Sequence, residues 1–207
     1  MTLRRLPVYL LLDTSGSMRG EPIASVNIGL RAMMSSLRHN PAALDSVYLS
    51  VVTFDSQIKE ILPLTALKQA QMPEIVCPES GATLLGEGLE KICLKFDAEV
   101  RVTGDSADWQ PLLFVMTDGK PSDTLAFSEV LPEIKRRAFG QIVACAAGPK
   151  ADAGALKRLT DTVVSLDTMD SSAFAGFFQW ISATVSANQG QHSSALPPPP
   201  AEINIVI

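Results

Sequence analysis

The stretch Val8-Tyr9-Leu10-Leu11-Leu12-Asp13-Thr14-Ser15-Gly16-Ser17 decides the fold. An unbroken apolar run that ends in a carboxylate describes a strand buried on both faces, as the central strands of parallel sheets are. A Ser/Gly loop follows, and Glu21-Pro22 opens a helix, with proline in the first turn, where its missing N–H costs nothing. Ile23, Val26, Leu30, Met33 and Leu37 then recur at the three- and four-residue spacing of one helical face, until Asn40-Pro41 stops the run.

The alternation continues down the chain. Val47 to Phe54 is a second strand, and Ile58 to Leu64 a third, reached through a short Asp55-Ser56 turn that suits a hairpin better than a crossover. Leu84, Leu85, Leu89, Ile92 and Phe96 form a second helical stripe, in which Gly86 and Gly88 are small enough for close helix packing. Thr103 to Gln110 is a polar insertion. Leu112 to Met116 is another buried strand, ending at Thr117-Asp118-Gly119. Val130 to Ala138 reads as helix, Gln141 to Ala147 as strand, Asp152 as the cap of a short helix, and Thr162 to Leu166 as the last strand of the domain. Phe174, Phe177, Phe178, Ile181 and Val185 stripe a final helix. Strands separated by helix-length segments require crossovers, so the expected fold is α/β, with a doubly wound, mostly parallel sheet and helices on both faces.

Composition changes at Asn188, which divides a domain over residues 1–187 from a tail over 188–207. Polar and proline-rich ends are usually disordered. Here Pro197 to Pro200 favour a stiff polyproline rod, and Ile203, Ile205, Val206 and Ile207 are β-prone, so Ile203 to Ile207 is expected to pair as a strand or pack in a groove.

The balance of 17 Lys+Arg against 22 Asp+Glu gives a net charge of −5 with no basic run, which argues against a nucleic-acid or anionic-membrane surface. Apolar runs such as Ile142 to Ala147 fall far short of the roughly 20 residues of a spanning helix, so no membrane insertion is expected. Arg4-Arg5 ahead of Leu6 to Leu12 imitates a secretion signal, but Pro7 breaks the run and Asp13 ends it, which leaves a basic cap on the first strand. Cys77, Cys93 and Cys145 are widely spaced and suit free thiols in a reducing compartment, so a cytoplasmic location is expected. His39 and His192 are the only histidines, which excludes a His-rich metal centre.

In an open α/β sheet, ligands bind beyond the carboxyl ends of the strands. Two such ends carry Asp13 and Asp118, and the loop Ser80-Gly81-Ala82-Thr83 enters its helix from the same side. Singly, Ser15, Ser17 and Thr83 are explained as helix caps and Asp118-Gly119 as a turn. Together they place carboxylates and hydroxyls on one sheet edge. An all-oxygen donor set selects a hard divalent cation, Mg2+ first, with Mn2+ and Ca2+ as alternatives.

The pattern Asp13-x-Ser15-x-Ser17, then Thr83, then Asp118-Gly119, resembles the metal-ion-dependent adhesion site of von Willebrand factor type A (vWA) domains, over residues 6 to about 187. That resemblance implies a doubly wound sheet with one antiparallel edge strand, which agrees with the Ile58–Leu64 hairpin arm. It also implies hydroxyls that bind the cation directly, with one or both Asp residues acting largely through water. Segments Arg4 to Ile23, Thr117 to Asp123, Ala144 to Lys150 and Leu196 to Ile207 are further similar to vWA proteins of the bacterial tellurite-resistance system. This second resemblance implies a cytoplasmic stress-response role, in operons that encode a protein kinase and a PP2C-type phosphatase. Some of those relatives add a cysteine-rich zinc module, which this chain lacks.

Neutral hydroxyls barely reduce a dication's charge, so an ion held by them accepts an Asp or Glu of a protein partner as its last ligand. Arg19 and Lys120 would add positive charge beside the site, and Glu21, Pro121, Ser122 and Asp123 are expected along its rim. The rival enzyme reading is a Mg2+-dependent, haloacid-dehalogenase-like phosphatase with Asp13 as nucleophile. That chemistry needs a second acid two residues on, and Ser15 stands there, unable to shuttle a proton near neutral pH. The sequence therefore points to a non-catalytic interaction module, with a structural subunit bearing a vestigial metal site as the third class.

Overall fold

The computed structural model describes residues 4–79, 81–189 and 196–206. Strand β1 (Leu6–Asp13) is buried along its whole length, as its apolar run requires. It lies in a seven-stranded sheet of order β3-β2-β1-β4-β5-β6-β7, whose other strands are β2 (Val47–Phe54), β3 (Ile58–Ala66), β4 (Leu112–Thr117), β5 (Gln141–Ala147), β6 (Val163–Leu166) and β7 (Asn204–Ile205). β1 runs parallel to β2 on one side and to β4 on the other, with Asp13 level with Phe54 and Leu12 level with Met116. The carboxyl ends of three central strands therefore share one edge, at the point where the strand order reverses.

Successive residues of β1 point to opposite faces, and each face has its own core. Leu10 and Leu12 join Phe114 and Met116 beneath helices α1 (Glu21–Arg38) and α6 (Ser171–Ala187), with Leu30, Phe174, Phe177 and Phe178. Tyr9 and Leu11 join Leu113 and Val115 beneath α3 (Leu85–Glu99) and α4 (Thr124–Lys135), with Leu89, Ile92 and Phe127. Gly86 lets α3 and α4 meet closely, because a Cβ there would fall 2.3 Å from the Phe127 backbone nitrogen.

Several elements differ from their expected bounds. Asn40-Pro41 does end α1, but it also starts a short helix α2 (Pro41–Ser46), because Asn40 Oδ1 accepts the Ala42 and Ala43 N–H groups at 3.1 and 3.3 Å. α4 begins at Thr124 and ends at Lys135, whereas the apolar pattern placed it over Val130 to Ala138. Its first turn hides from pattern reading because Leu125 is 71% exposed, while the Asp123 carbonyl accepts the Phe127 N–H at 2.8 Å and so starts the helix earlier. The remaining helix, α5 (Ala153–Leu159), is capped by Asp152 as expected.

The β2–β3 hairpin is antiparallel and forms the expected sheet edge. The tail adds an antiparallel strand at the opposite edge, where β7 pairs with β6 through Val164–Ile205 and Ser165–Asn204. Trp180 Nε1 donates to the Pro197 carbonyl at 2.9 Å, and Ile203 is only 5% exposed within the α1/α6 core. Val206 N–H donates to Val163 O at 2.9 Å and packs against the opposite core. Strand pairing and groove packing thus both order residues 203–206, while Ile207 lies outside the described residues. Deleting residues 197–207 should uncover the β6 edge and promote self-association in analytical ultracentrifugation, with cation affinity unchanged.

The basic cap has a structural role that pattern reading missed. Arg5 Nε and Nη2 donate to Asp108 Oδ1 and Oδ2 at 2.8 and 2.6 Å, and Arg4 stacks on the Trp109 ring at 4.2 Å. The polar insertion is thereby pinned to the amino end of β1. Asp108→Asn should lower the unfolding free energy in urea by about 1.5 to 3 kcal/mol, the range for hydrogen bonds to charged groups. Among the described residues, no helix is long and apolar enough to cross a membrane.

Candidate metal centre

Asp13 is the last residue of β1, and its buried carboxylate is held from two sides. Oδ1 accepts the Ser15 N–H at 2.7 Å and Oδ2 accepts the Thr117 hydroxyl at 2.6 Å. Burial pushes the Asp13 carboxyl pKa up, the bonds from Thr117 and Ser15 pull it partly back, and neighbouring Asp118 pushes it up again. Positive charge at this spot would relieve both the burial and the repulsion.

Beyond Asp13 the chain makes a single 3-10 turn (Gly16–Met18), closed by Met18 N–H on the Ser15 carbonyl at 2.9 Å and anchored by the buried Met18 side chain. The turn leaves Ser15 buried and Ser17 exposed, with their hydroxyl oxygens 3.2 Å apart. Asp118, one residue past β4, brings Oδ1 to 3.5 Å from Ser15 Oγ. That distance is long for a hydrogen bond between hydroxyl and carboxylate. Neighbouring oxygens in an octahedron of 2.0 to 2.1 Å bonds lie about 3 Å apart, so the pair would close by about half an ångström to share one ion.

The third loop is tied to the Asp118 loop by its backbone. Thr83 N–H donates to Ser122 Oγ at 3.0 Å, and Ser122 N–H donates to the Thr83 carbonyl at 2.9 Å. Thr83 Oγ1 rests against Gly119, where a Cβ would lie 3.5 Å from it. Ser80 of this loop lies outside the described residues. The structure thus brings Asp13, Ser15, Ser17, Thr83 and Asp118 to one edge of the sheet.

Of the expected rim, Arg19, Glu21 and Lys120 are exposed and Pro121 is half-buried. Ser122 is used in the clasp on Thr83. Asp123 is not a free rim carboxylate, because its Oδ2 accepts the Glu87 N–H in the first turn of α3 at 2.8 Å. Residues missed by the sequence reading are Thr117, which orients Asp13, and Asp55, which accepts the Thr14 hydroxyl at 2.8 Å. Thr117 ends β4 and Asp55 directly follows β2, both at the same sheet edge, and that position was the available signal.

Among the described residues, no group of three or more His, Cys, Asp or Glu is arranged to hold a metal. Cys77 lies in the field of Asp13, Asp55 and Asp118, and burial together with these carboxylates pushes its thiol up to about 11. It should therefore react slowly with a disulfide reagent at pH 7 and faster as the pH is raised towards that value, since the thiolate is the attacking form.

Residues 8–175 match the von Willebrand factor type A domain model. This chain belongs to the vWA family. Members of the family commonly bind a divalent cation at the metal-ion-dependent adhesion site. No curated protein sequence matches the chain significantly. Solved structures share the fold. Proximal thread matrix protein 1 of the mussel byssus is 16% identical with a TM-score of 0.65, over 89% of this chain and 49% of that one. VWA2, the ArnB paralog of Sulfolobus acidocaldarius, is 16% identical with a TM-score of 0.61, over 87% and 46% of the two chains. BatB from Bacteroides thetaiotaomicron is 15% identical with a TM-score of 0.58, over 88% and 99%. The vWA chain thus spans about half the length of the first of these, at 49%. A second structure of the mussel protein, 16% identical with a TM-score of 0.64 over 88% and 48% of the two chains, is described as having a zinc-occupied adhesion-site motif.

Proposed function

We propose that the chain is a non-catalytic, divalent-cation-dependent protein-interaction module. Ser15, Ser17 and Thr83 would hold one ion of the Mg2+ class through their hydroxyls, with Asp118 as a direct or water-mediated ligand. Asp13, held in place by Thr117 and Ser15 with one lone pair free on each oxygen, would accept hydrogen bonds from bound water. When bound, the ion supplies an electrophilic centre for an Asp or Glu carboxylate of a protein partner. Arg19 and Lys120 favour the approach of that carboxylate to a domain of net charge −5. The observation that carries this reading is the convergence of Ser15 Oγ, Ser17 Oγ and Asp118 Oδ1 at 3.2 and 3.5 Å.

The cellular setting rests on the similarity of four segments to TerY of the bacterial tellurite-resistance system. On that basis we place the protein in the cytoplasm, in a stress response, with a protein kinase and a PP2C-type phosphatase as first candidate partners. The free Cys77, Cys93 and Cys145 support a reducing compartment.

A pulldown from native lysate, with and without EDTA and repeated with Asp13→Ala, tests the proposal. Partner capture should vanish in both EDTA and the variant; capture that persists in either contradicts it. EDTA should lower the thermal midpoint only slightly, because both cores are built without the ion. Unfolding on chelation would make the metal structural instead.

A further inference from the structure

Asp55 directly follows β2 and is only 2% exposed, although it belongs to none of the adhesion-site positions. Both carboxylate oxygens are committed. Oδ2 accepts the Thr14 hydroxyl at 2.8 Å, while Oδ1 accepts the Gln57 N–H at 2.9 Å and faces the Ser56 hydroxyl at 3.4 Å. The Asp55 carbonyl accepts the Leu84 N–H at 3.2 Å. Gly81 closes onto the same residue, since a Cβ there would fall 3.1 Å from Asp55 Cβ and 3.7 Å from Ser15 Cα. Thr14 also binds β2 through its backbone, N–H to Phe54 O at 2.9 Å.

Thr14 stands between Asp13 and Ser15, and Leu84 adjoins Thr83. Asp55 therefore grips both hydroxyl-bearing loops, each at the residue next to a proposed cation ligand. We infer that Asp55 is a positioning residue, which sets cation affinity by clamping the Thr14 loop to the Thr83 loop without touching the ion. This inference rests on the cation site proposed above. Direct ligation by Asp55 is disfavoured because its oxygens already hold Thr14 and Gln57. Hydroxyls have no charge to draw them to a cation, so a site that depends on them needs the loops preset to fractions of an ångström.

Calorimetric titration of Mn2+ into the full chain tests the inference, alongside thermal melts and amide exchange of residues 13–17 and 82–85 without cation. Asp55→Ala and Thr14→Val should each weaken Mn2+ binding about 10- to 100-fold, the usual cost of losing a partner that orients ligands. The loop over residues 13–17 should exchange faster in these variants, while residues 82–85 keep the bond from Leu84 N–H to the Asp55 carbonyl. Asp55→Asn should stay close to the wild-type affinity, since its amide can donate to Thr14 Oγ1 while that hydroxyl turns to Phe54 O, now 3.4 Å away. Asp108→Asn, at the opposite end of β1, controls for general destabilisation and should leave affinity unchanged. If Asp55→Ala does not fold, Thr14→Val decides, because it keeps the carboxylate. Wild-type affinity in a folded Asp55→Ala or Thr14→Val chain overturns the inference. So does an Asp55→Asn chain as weak as Asp55→Ala, which would make charge the determinant and not the clamp. A wild-type chain that takes up no Mn2+ overturns the cation site itself, and that failure is told apart because it precedes any substitution.

Discussion

Truncating Phe178 to alanine is expected to lower the unfolding free energy by about 3 to 5 kcal/mol, the range for emptying a core phenylalanine site. Phe178 is fully buried and stacks edge-on against Phe177, with ring centroids 5.5 Å apart. Its ring presses on α1 so closely that a Cβ on Gly29 would lie 2.3 Å from its Cδ2. The space opposite the ring is helix backbone, which cannot collapse into the cavity, so the loss falls towards the upper part of the range. Exposed Leu125 provides the contrast, and Leu125→Ala should change stability by less than about 0.5 kcal/mol. Urea denaturation monitored by circular dichroism measures both. A Phe178→Ala cost below a tenth of the expected value would mean that α6 is not docked on the sheet.

Asp118→Ala is expected to weaken Mn2+ binding by about a hundredfold or more, beyond the 10- to 100-fold usual for partners that only orient ligands. Asp118 brings both negative charge and an oxygen to within 3.5 Å of Ser15 Oγ, whereas the hydroxyls bring no charge. The cation-free variant should melt near the wild-type temperature, because the Asp118 side chain ties no element into either core. Saturating cation should raise the thermal midpoint of the wild type and not of the variant, since a ligand stabilises only the chain that binds it. Equal cation-induced shifts would place the ion elsewhere.

The order of strands and helices could be read from the sequence because it depends on local pattern. The unbroken run ending at Asp13 marks a central strand, and the spacing from Ile23 to Leu37 marks a helix covering it. That the candidate site residues would share one sheet edge was legible for a related reason: strand ends and helix starts bear them, and those boundaries leave local signs. What escaped depends on pairs far apart in the chain. The Thr117 hydroxyl reaches Asp13 across 104 positions, and Arg5 reaches Asp108 across 103, with nothing near either residue to announce the bond. Asp123 misled because Asp after Pro-Ser looks like an open loop, while its carboxylate turns inward to the Glu87 N–H. The tail was legible in kind, from its β-prone end. Its place beside β6 was not, because the β6–β7 ladder depends on which sheet edge remains open.

Anomalous diffraction from crystals soaked in Mn2+ reads out whether hydroxyls from separate loops hold one cation. A single strong peak is expected within about 2.5 Å of the Ser15, Ser17 and Thr83 oxygens, with Asp118 in contact or one water away. A well-ordered soaked structure in which these side chains diverge, or in which the peak lies elsewhere, would contradict it.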